Sequence, residues 1–147
     1  MVTISGGTKL ESRLKELSKN IAKSAELSVG FLENAHYPDG TSVAMVAAIH
    51  EWGAPSRNIP PRPFFRTVVA EKSGEWPQTV AALLEANNYD ATKTLMQTGE
   101  GIKGQVQQGI HDVVGPPLAP ATIARKGFST LLIDTGVMIN SVDFKVE

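Results

Sequence analysis

Residues 43–66 read VAMVAAIHEWGAPSRNIPPRPFFR, and this stretch passes from a helix through a stiff loop into a second helix. Its first part is small and almost entirely apolar, and Thr41 or Ser42 can serve as its N-cap residue. We predict a short helix through Ile49, ended by Gly53. Because it is apolar on nearly all sides, this helix is either buried in the domain or pressed against a neighbouring subunit.

The second half of the stretch is dominated by proline. Residues 54–63 contain four prolines, and we therefore predict no regular structure there. After Pro63 a helix can begin, with that proline in its first turn. Gly74 and Pro77 are expected to kink or interrupt this helix, and Asn87 with Asn88 closes it. Its buried side is supplied by Phe64, Phe65, Val68, Val69, Trp76, Val80, Leu83 and Leu84.

Two further helices are predicted on either side of this region. From Lys9, one apolar stripe recurs at spacings of four, three and four, and it indicates a surface helix that packs on a sheet. The stripe consists of Leu10, Leu14, Leu17 and Ile21. Asp90 can cap a longer helix that runs to about Val114, although Gly99, Gly101 and Gly104 lower its intrinsic stability. The apolar face of that helix consists of Leu95, Ile102, Val106, Ile110 and Val113.

Alternation of apolar and polar residues predicts a strand near each end of the chain. Residues 27–31 place Leu27, Val29 and Phe31 on one face, and residues 142–146 repeat the pattern. Between the long helix and the second strand, residues 121–126 can form one or two helical turns, and Asp134 or Thr135 can cap a further short turn. Strands at both ends with helices between them indicate an α+β fold, a small antiparallel sheet flanked by several helices.

Length and composition favour one domain. The 147 residues fit a single compact unit, which we divide into a flexible arm at 1–8 and a domain at 9–147. The net charge is −1 and there are no cysteines, so neither general DNA affinity nor a disulfide framework is indicated. Without a signal-peptide pattern or an apolar run long enough to cross a bilayer, we expect a soluble protein made inside a cell.

The sequence offers little reactive chemistry. His50 and Glu51 begin like a zinc-protease motif, but position 54 is Ala where the second histidine would stand. Glycines at 99, 101 and 104 spell a dinucleotide-binding pattern inside a helix, without the preceding strand that gives the pattern its mechanism. We therefore expect no enzyme, no catalytic residue, no cofactor and no metal site. A hydrolase using His50 and Glu51 would require a third group that the sequence does not supply.

Basic residues next to aromatic ones raise a different possibility. Arg57, Arg62 and Arg66 stand beside Phe64 and Phe65, a combination that can hold single-stranded nucleic acid. The preferred interpretation is structural, with Arg62 paired to a carboxylate or to backbone carbonyls and the phenylalanines in the core. The same stiff loop could also serve as a subunit contact, where Arg and aromatic residues are common anchors.

Three segments in order resemble one family: residues 46–53 (VAAIHEWG), 59–66 (IPPRPFFR) and 131–142 (LLIDTGVMINSV). The chain resembles the tail-completion, or head–tail joining, proteins of tailed bacteriophages, often called minor tail or virion morphogenesis proteins. The similarity spans residues 43–146. Met138 departs from the family, which often has a longer polar residue there. The matching positions are Glu51, Trp52, Gly53, Pro61, Arg62, Pro63, Phe64, Asp134, Thr135, Gly136 and Ser141.

The resemblance implies a structural virion protein of the neck, at the head-proximal end of the tail, assembled in the host cytoplasm. It implies a ring of six copies, and it implies that the partners of the chain are further copies, a head-completion or connector protein, and a tail terminator or tail tube protein. A membrane partner and direct DNA binding are not implied. Two alternatives remain open: the related tail terminator role, and a nucleic-acid-binding module. Candidate contact surfaces are the N-terminal arm, the loop 54–66 and the helix 91–114.

Overall fold

The computed structural model describes residues 5–113, 120–126 and 136–147. Its helices are α1 (Gly7–Ile21), α2 (Val43–Trp52), α3 (Phe65–Lys72), α4 (Trp76–Ala86), α5 (Ala91–Asp112), α6 (Pro120–Lys126) and α7 (Val137–Asn140), and its strands are β1 (Leu27–Phe31) and β2 (Val142–Val146). Single 3₁₀ turns occur at Pro55–Arg57 and Ser73–Glu75. The predicted α+β class is confirmed.

The two predicted strands pair with each other. β1 and β2 are antiparallel, in a register that runs from Leu27 opposite Val146 to Phe31 opposite Val142. This register places the apolar residues of both strands on one face, because side chains alternate along a strand. Helix α5 covers that face: a methyl group at Gly99 would lie 2.5 Å from the ring of Phe144. Glycine at this position therefore allows helix and sheet to approach closely.

Helix α5 is the central element of the domain. It begins at the predicted cap, where the Asp90 carboxylate accepts the backbone N–H of Lys93 at 3.0 Å. Of its predicted apolar stripe, Val106 and Ile110 are fully buried and the others are half-buried. A second glycine, Gly109, lies against α3, where an added methyl group would meet Val68 at 2.4 Å. The buried apolar core is Val43, Ala47, Phe64, Val68, Val106, Ile110, Met138 and Val142.

The proline-rich region is more regular than predicted. Residues 55–57 form a 3₁₀ turn, and Ala54 forms an isolated bridge with Ile59. Proline fixes φ near −65°, which suits the start of such a turn, and Pro55 stands at that start. The predicted interruption of the next helix is confirmed at residues 73–75, but Pro77 lies in the first turn of α4 and does not kink it.

The N-terminal helix differs from prediction in two ways. Helix α1 begins at Gly7, within the residues expected to form a flexible arm, and it contains no buried residue. The prediction that it packs its stripe on a sheet is wrong, because the apolar face of the β1–β2 sheet is already covered by α5. Its polar flank instead contacts the turn between α4 and α5, where the Asn20 amide donates to the Asn88 carbonyl at 3.1 Å.

Candidate functional site

Helix α2 is apolar on two opposite faces. Ser42 caps it, since the Ser42 hydroxyl accepts the backbone N–H of Met45 at 3.4 Å. Val43 and Ala47 are buried in the core, whereas Met45 is 54% exposed and Trp52 is 64% exposed. One face of α2 therefore packs inside the domain, and the opposite face is open to solvent in the described structure. The two predicted positions of this helix, in the core or against a neighbouring subunit, do not exclude each other.

Gly53 reverses the chain directly after α2. Its φ is 75°, a conformation that residues with a Cβ rarely adopt, and its N–H donates to the carbonyl of Ile49 at 2.7 Å. A methyl group at Gly53 would lie 2.8 Å from both the Ile59 carbonyl oxygen and the Pro61 nitrogen. Position 53 therefore requires glycine for two reasons. Its backbone has a positive φ, and the returning loop leaves no space for a side chain.

The returning loop is fastened to α2 through the backbone. The N–H of Arg62 donates to the carbonyl of His50 at 2.7 Å, and the N–H of Ala54 donates to Ile59 at 2.9 Å. Arg62 is only 6% exposed. The sequence interpretation of Arg62 as a structural residue within this loop agrees with that burial, because a solvent-facing nucleic-acid contact would need its guanidinium exposed.

Glu51 joins the two motifs at the start of α3. One carboxylate oxygen accepts the N–H of Phe65 at 3.0 Å, and the other accepts the N–H of Arg66 at 3.1 Å. Phe64, the N-cap residue of α3, offers no side-chain cap of its own. The first N–H groups of a helix lack intrahelical partners and lie at the positive end of its dipole. Glu51 therefore supplies, from α2, the anionic cap that α3 lacks.

Arg66 completes this arrangement. Its Nε donates to the Glu51 carboxylate at 2.8 Å, and one terminal nitrogen donates to the Glu51 carbonyl at 3.2 Å. The guanidinium carbon lies 4.2 Å from the centre of the Trp52 ring, within the range of a cation–π contact. Arg66 thus holds the exposed indole in one orientation.

An apolar groove opens next to this pair. It has a volume of about 260 Å³ and is lined by three alanines of α2, three phenylalanines and the Trp52–Arg66 pair. The alanine floor matters because small side chains let another helix or loop approach closely. We call this hollow, with Ala44, Ala48 and Trp52 on α2 and Phe65 on α3, the α2 groove.

The structure brings most of the motif residues together. Glu51, Trp52 and Gly53 meet the loop residues as described; Phe64 is 2% exposed in the core, and the Pro63 carbonyl accepts the Thr67 hydroxyl at 2.7 Å. The groove, and the direct bond from Glu51 to the start of α3, were not predicted. The available sequence signal was an acidic residue, Glu51, directly followed by an aromatic one, Trp52. The spacing along the chain did not indicate that Arg66 is the partner of Glu51.

The C-terminal motif forms a separate unit. Gly136 has φ 76° and precedes α7, and the Ser141 hydroxyl donates to the Val137 carbonyl at 2.6 Å. Met138 is 3% exposed and belongs to the core. Asp134 and Thr135 lie outside the described residues. The described part of this motif packs against α2 and α5, so its role there is structural.

The residues on which the two alternative functions depend lie in different environments. Of the three arginines, Arg62 is buried, Arg66 is bonded to Glu51, and Arg57 is exposed. They do not form one continuous basic surface. For a hydrolase, Glu51 would have to serve as a base, yet both of its oxygens already accept N–H groups.

In the described ranges 5–113, 120–126 and 136–147, no group of three or more His, Cys, Asp or Glu residues is placed to hold a metal ion. No helix among those residues is both long and apolar enough to cross a membrane. A second cavity of about 540 Å³ lies between α3 and α5, with Glu71, Lys72 and Asp112 among its lining residues. At this cavity, the pKa of Asp112 is lowered by its hydrogen bond with His111 and, to a smaller extent, by the hydrogen bond from Gln108.

Comparison with protein-family models, curated proteins and solved structures found no match to this chain.

Proposed function

We propose that this chain is a structural virion assembly protein of a tailed bacteriophage, a ring-forming tail-completion or neck subunit. The observation that carries the proposal is the pair of open apolar surfaces. The stripe of α1 and the α2 groove are both exposed, and monomeric proteins rarely leave such surfaces without a use. A subunit that meets copies of itself through two different surfaces has the property that ring assembly requires.

The arrangement of the motifs supports the same proposal. Glu51, Gly53 and Arg66 are used to fix a helix, a loop and an exposed tryptophan relative to one another. In this proposal the three residues have a structural role: they hold an apolar surface rigid so that a partner can bind to it. Rigid presentation lowers the entropy lost on association, which is the advantage that an assembly subunit gains from a proline-stiffened loop.

The proposed partners are further copies of the chain, a head-completion or connector protein, and a tail terminator or tail tube protein. The proposed location is the neck of the virion. Electron microscopy of particles produced without this chain tests the proposal. Separate DNA-filled heads and finished tails would support the joining role, whereas overlong tails would support the terminator role instead. Normal, infectious particles would overturn both.

A further inference from the structure

The apolar stripe of α1 is largely exposed. Leu10 is 60% exposed, Leu14 is 56% exposed and Ile21 is 47% exposed, and Leu17 between them is half-buried. These four positions follow the alternating spacing of three and four residues that forms a helix-packing seam. Among the residues that the structure describes, no element buries Leu10, Leu14 or Ile21.

The orientation of α1 is set by polar contacts on its flank. Arg13 donates to the side chain of Asn88 at 2.5 Å, and Lys23, just past the helix, pairs with Asp90 at 2.7 Å. Asn20 donates to the backbone carbonyl of Asn88. These contacts hold the helix on the α4–α5 turn and leave the seam directed away from the core. The helix is therefore positioned for an external apolar partner.

Charge distinguishes between the possible partners of α1. Helix α1 carries four basic residues and two acidic ones, a net charge of +2. With 14 basic and 15 acidic residues in the whole chain, ten basic and thirteen acidic residues remain elsewhere, a net charge of −3. Two α1 helices carry like net charges, whereas α1 and the rest of a neighbouring copy carry opposite ones, so net charge favours a contact between α1 and the body of another copy. Interactions between such exposed charges are screened beyond roughly 8–10 Å at physiological salt.

The α2 groove is the apolar surface that suits such a helix. Its alanine floor permits the close approach of a second helix, and helix axes pack at about 8–10 Å. Its basic group, Arg66, is bonded to the Glu51 carboxylate and so adds little repulsion toward α1. Trp52 stands at its side as a large exposed anchor, the residue type most enriched among energetically dominant interface positions.

We propose that the α1 seam of one copy packs into the α2 groove of the next copy. This inference rests on the proposed ring-forming function and names the contact that would build the ring. Because the two surfaces differ, each subunit can offer α1 to one neighbour and the groove to the other, which is the head-to-tail type of contact that a ring requires. The contact rests on a single 15-residue helix, and we expect it to be weak in dilute solution and to be strengthened on assembly, where each copy meets two neighbours at once.

Cysteine cross-linking tests the contact, since the chain has no cysteine of its own. The double variant Leu14→Cys with Ala48→Cys would replace wild-type protein in phage particles, which are then oxidised and run on a non-reducing gel. A ladder of covalent oligomers that collapses on reduction is expected. Leu14→Cys alone should give no dimer, and a dimer from that variant would show pairing between two α1 helices and overturn the inference.

The same particles separate failure of this contact from failure of the proposed function. If the chain is present in particles without a ladder, the contact is wrong and the assembly role stands. If wild-type chain is absent from particles, the assembly role falls, and the contact falls with it.

A matched pair of variants guards against misfolding or poor incorporation of the double variant. Leu14→Asp should abolish incorporation into particles, because it places a charge in the seam. Ser12→Asp, exposed on the opposite side of α1, should incorporate like wild type. Circular dichroism checks that both variants fold. Equal incorporation of the folded Leu14→Asp chain would overturn the inference.

Discussion

The Glu51 carboxylate accepts two N–H groups of Arg66: the backbone N–H, in the first turn of α3, at 3.1 Å and the guanidinium Nε–H at 2.8 Å. The two residues stand on different helices, separated by the glycine turn and the proline-rich loop. One carboxylate therefore fixes the position of α3 relative to α2 and also holds the arginine that orients Trp52. The loop conformation, the helix start and the exposed tryptophan depend on a single buried acid.

Glu51→Gln should destabilise the fold although it preserves the size of the side chain. The amide offers one oxygen and one donating nitrogen to a site where only N–H donors converge, so at least one donor loses its acceptor. We expect a loss of roughly 2–3 kcal/mol in the free energy of unfolding. Urea unfolding measures it, with Glu85→Gln on the exposed side of α4 as the control. Equal stability of the two variants would contradict the capping role.

Arg66→Lys tests whether the guanidinium shape matters. Lysine keeps the charge but cannot direct two N–H groups at Glu51 while its head lies flat on Trp52. Because Arg66 is about half exposed, the expected loss is modest, about 1 kcal/mol. Arg57→Lys, at an exposed position, should have no measurable effect. Thermal unfolding of the two variants measures the difference. An equal loss of stability in both would mean that the Arg66 contacts do not cause it.

Gly53→Ala should cost more than about 2 kcal/mol, because a positive φ and contact with fixed backbone atoms act together. Gly74→Ala is the matched control, since Gly74 has a negative φ and no atom within 4 Å of an added methyl group. Denaturant unfolding of both variants gives the difference. A Gly53→Ala protein as stable as the control would show that the loop can move away from α2.

Local signals in the sequence predicted much of the fold. The alternating residues of β1 and β2, the Asp90 cap, the interruption near Gly74 and the stop at Gly53 were each readable from a few neighbouring residues. The prediction that α1 packs on the sheet was wrong. The spacing of its apolar residues shows that the helix has an apolar face, but it does not show which element covers that face. Periodicity identifies a face, whereas its partner is decided by tertiary packing.

The candidate site was predicted only as a set of residues. The motif positions Glu51, Trp52, Gly53 and Arg62 could be marked, but the bond from Glu51 across the loop to α3 joins residues 14 and 15 positions apart. No helical or strand period connects such positions. The groove was also unpredictable, since it exists only where α2, β1 and α3 meet.

The glycines of α5 should respond in opposite directions. Gly99→Ala places a methyl group 2.5 Å from Phe144 and 3.0 Å from Leu27, so the helix must shift from the sheet at a cost of about 1–3 kcal/mol. Gly101→Ala meets no atom within 4 Å and should stabilise the protein by up to ~1 kcal/mol through its higher helix propensity. Chemical denaturation of both variants measures the effects. If both variants changed the free energy of unfolding in the same direction, the assigned packing of α5 would be contradicted.

The Asp90 cap should make stability depend on pH in the acid range. The hydrogen bond from Lys23, followed by the backbone N–H of Lys93, lowers the pKa of Asp90 in the folded protein. The unfolded chain binds a proton at Asp90 near pH 3.9. The stabilisation by the ionised carboxylate is therefore complete above that value and is lost as the pH falls through the lower folded pKa.

Asp90→Asn removes this dependence while keeping an oxygen that can cap α5. We expect the variant to lose less stability than wild type between about pH 4 and pH 2, with the difference between them largest at neutral pH. Urea unfolding at several pH values provides the measurement. Parallel profiles for Asp90→Asn and wild type would mean that the Lys23–Asp90 contact adds nothing to the fold, and would remove one of the contacts that orient α1 for its neighbour.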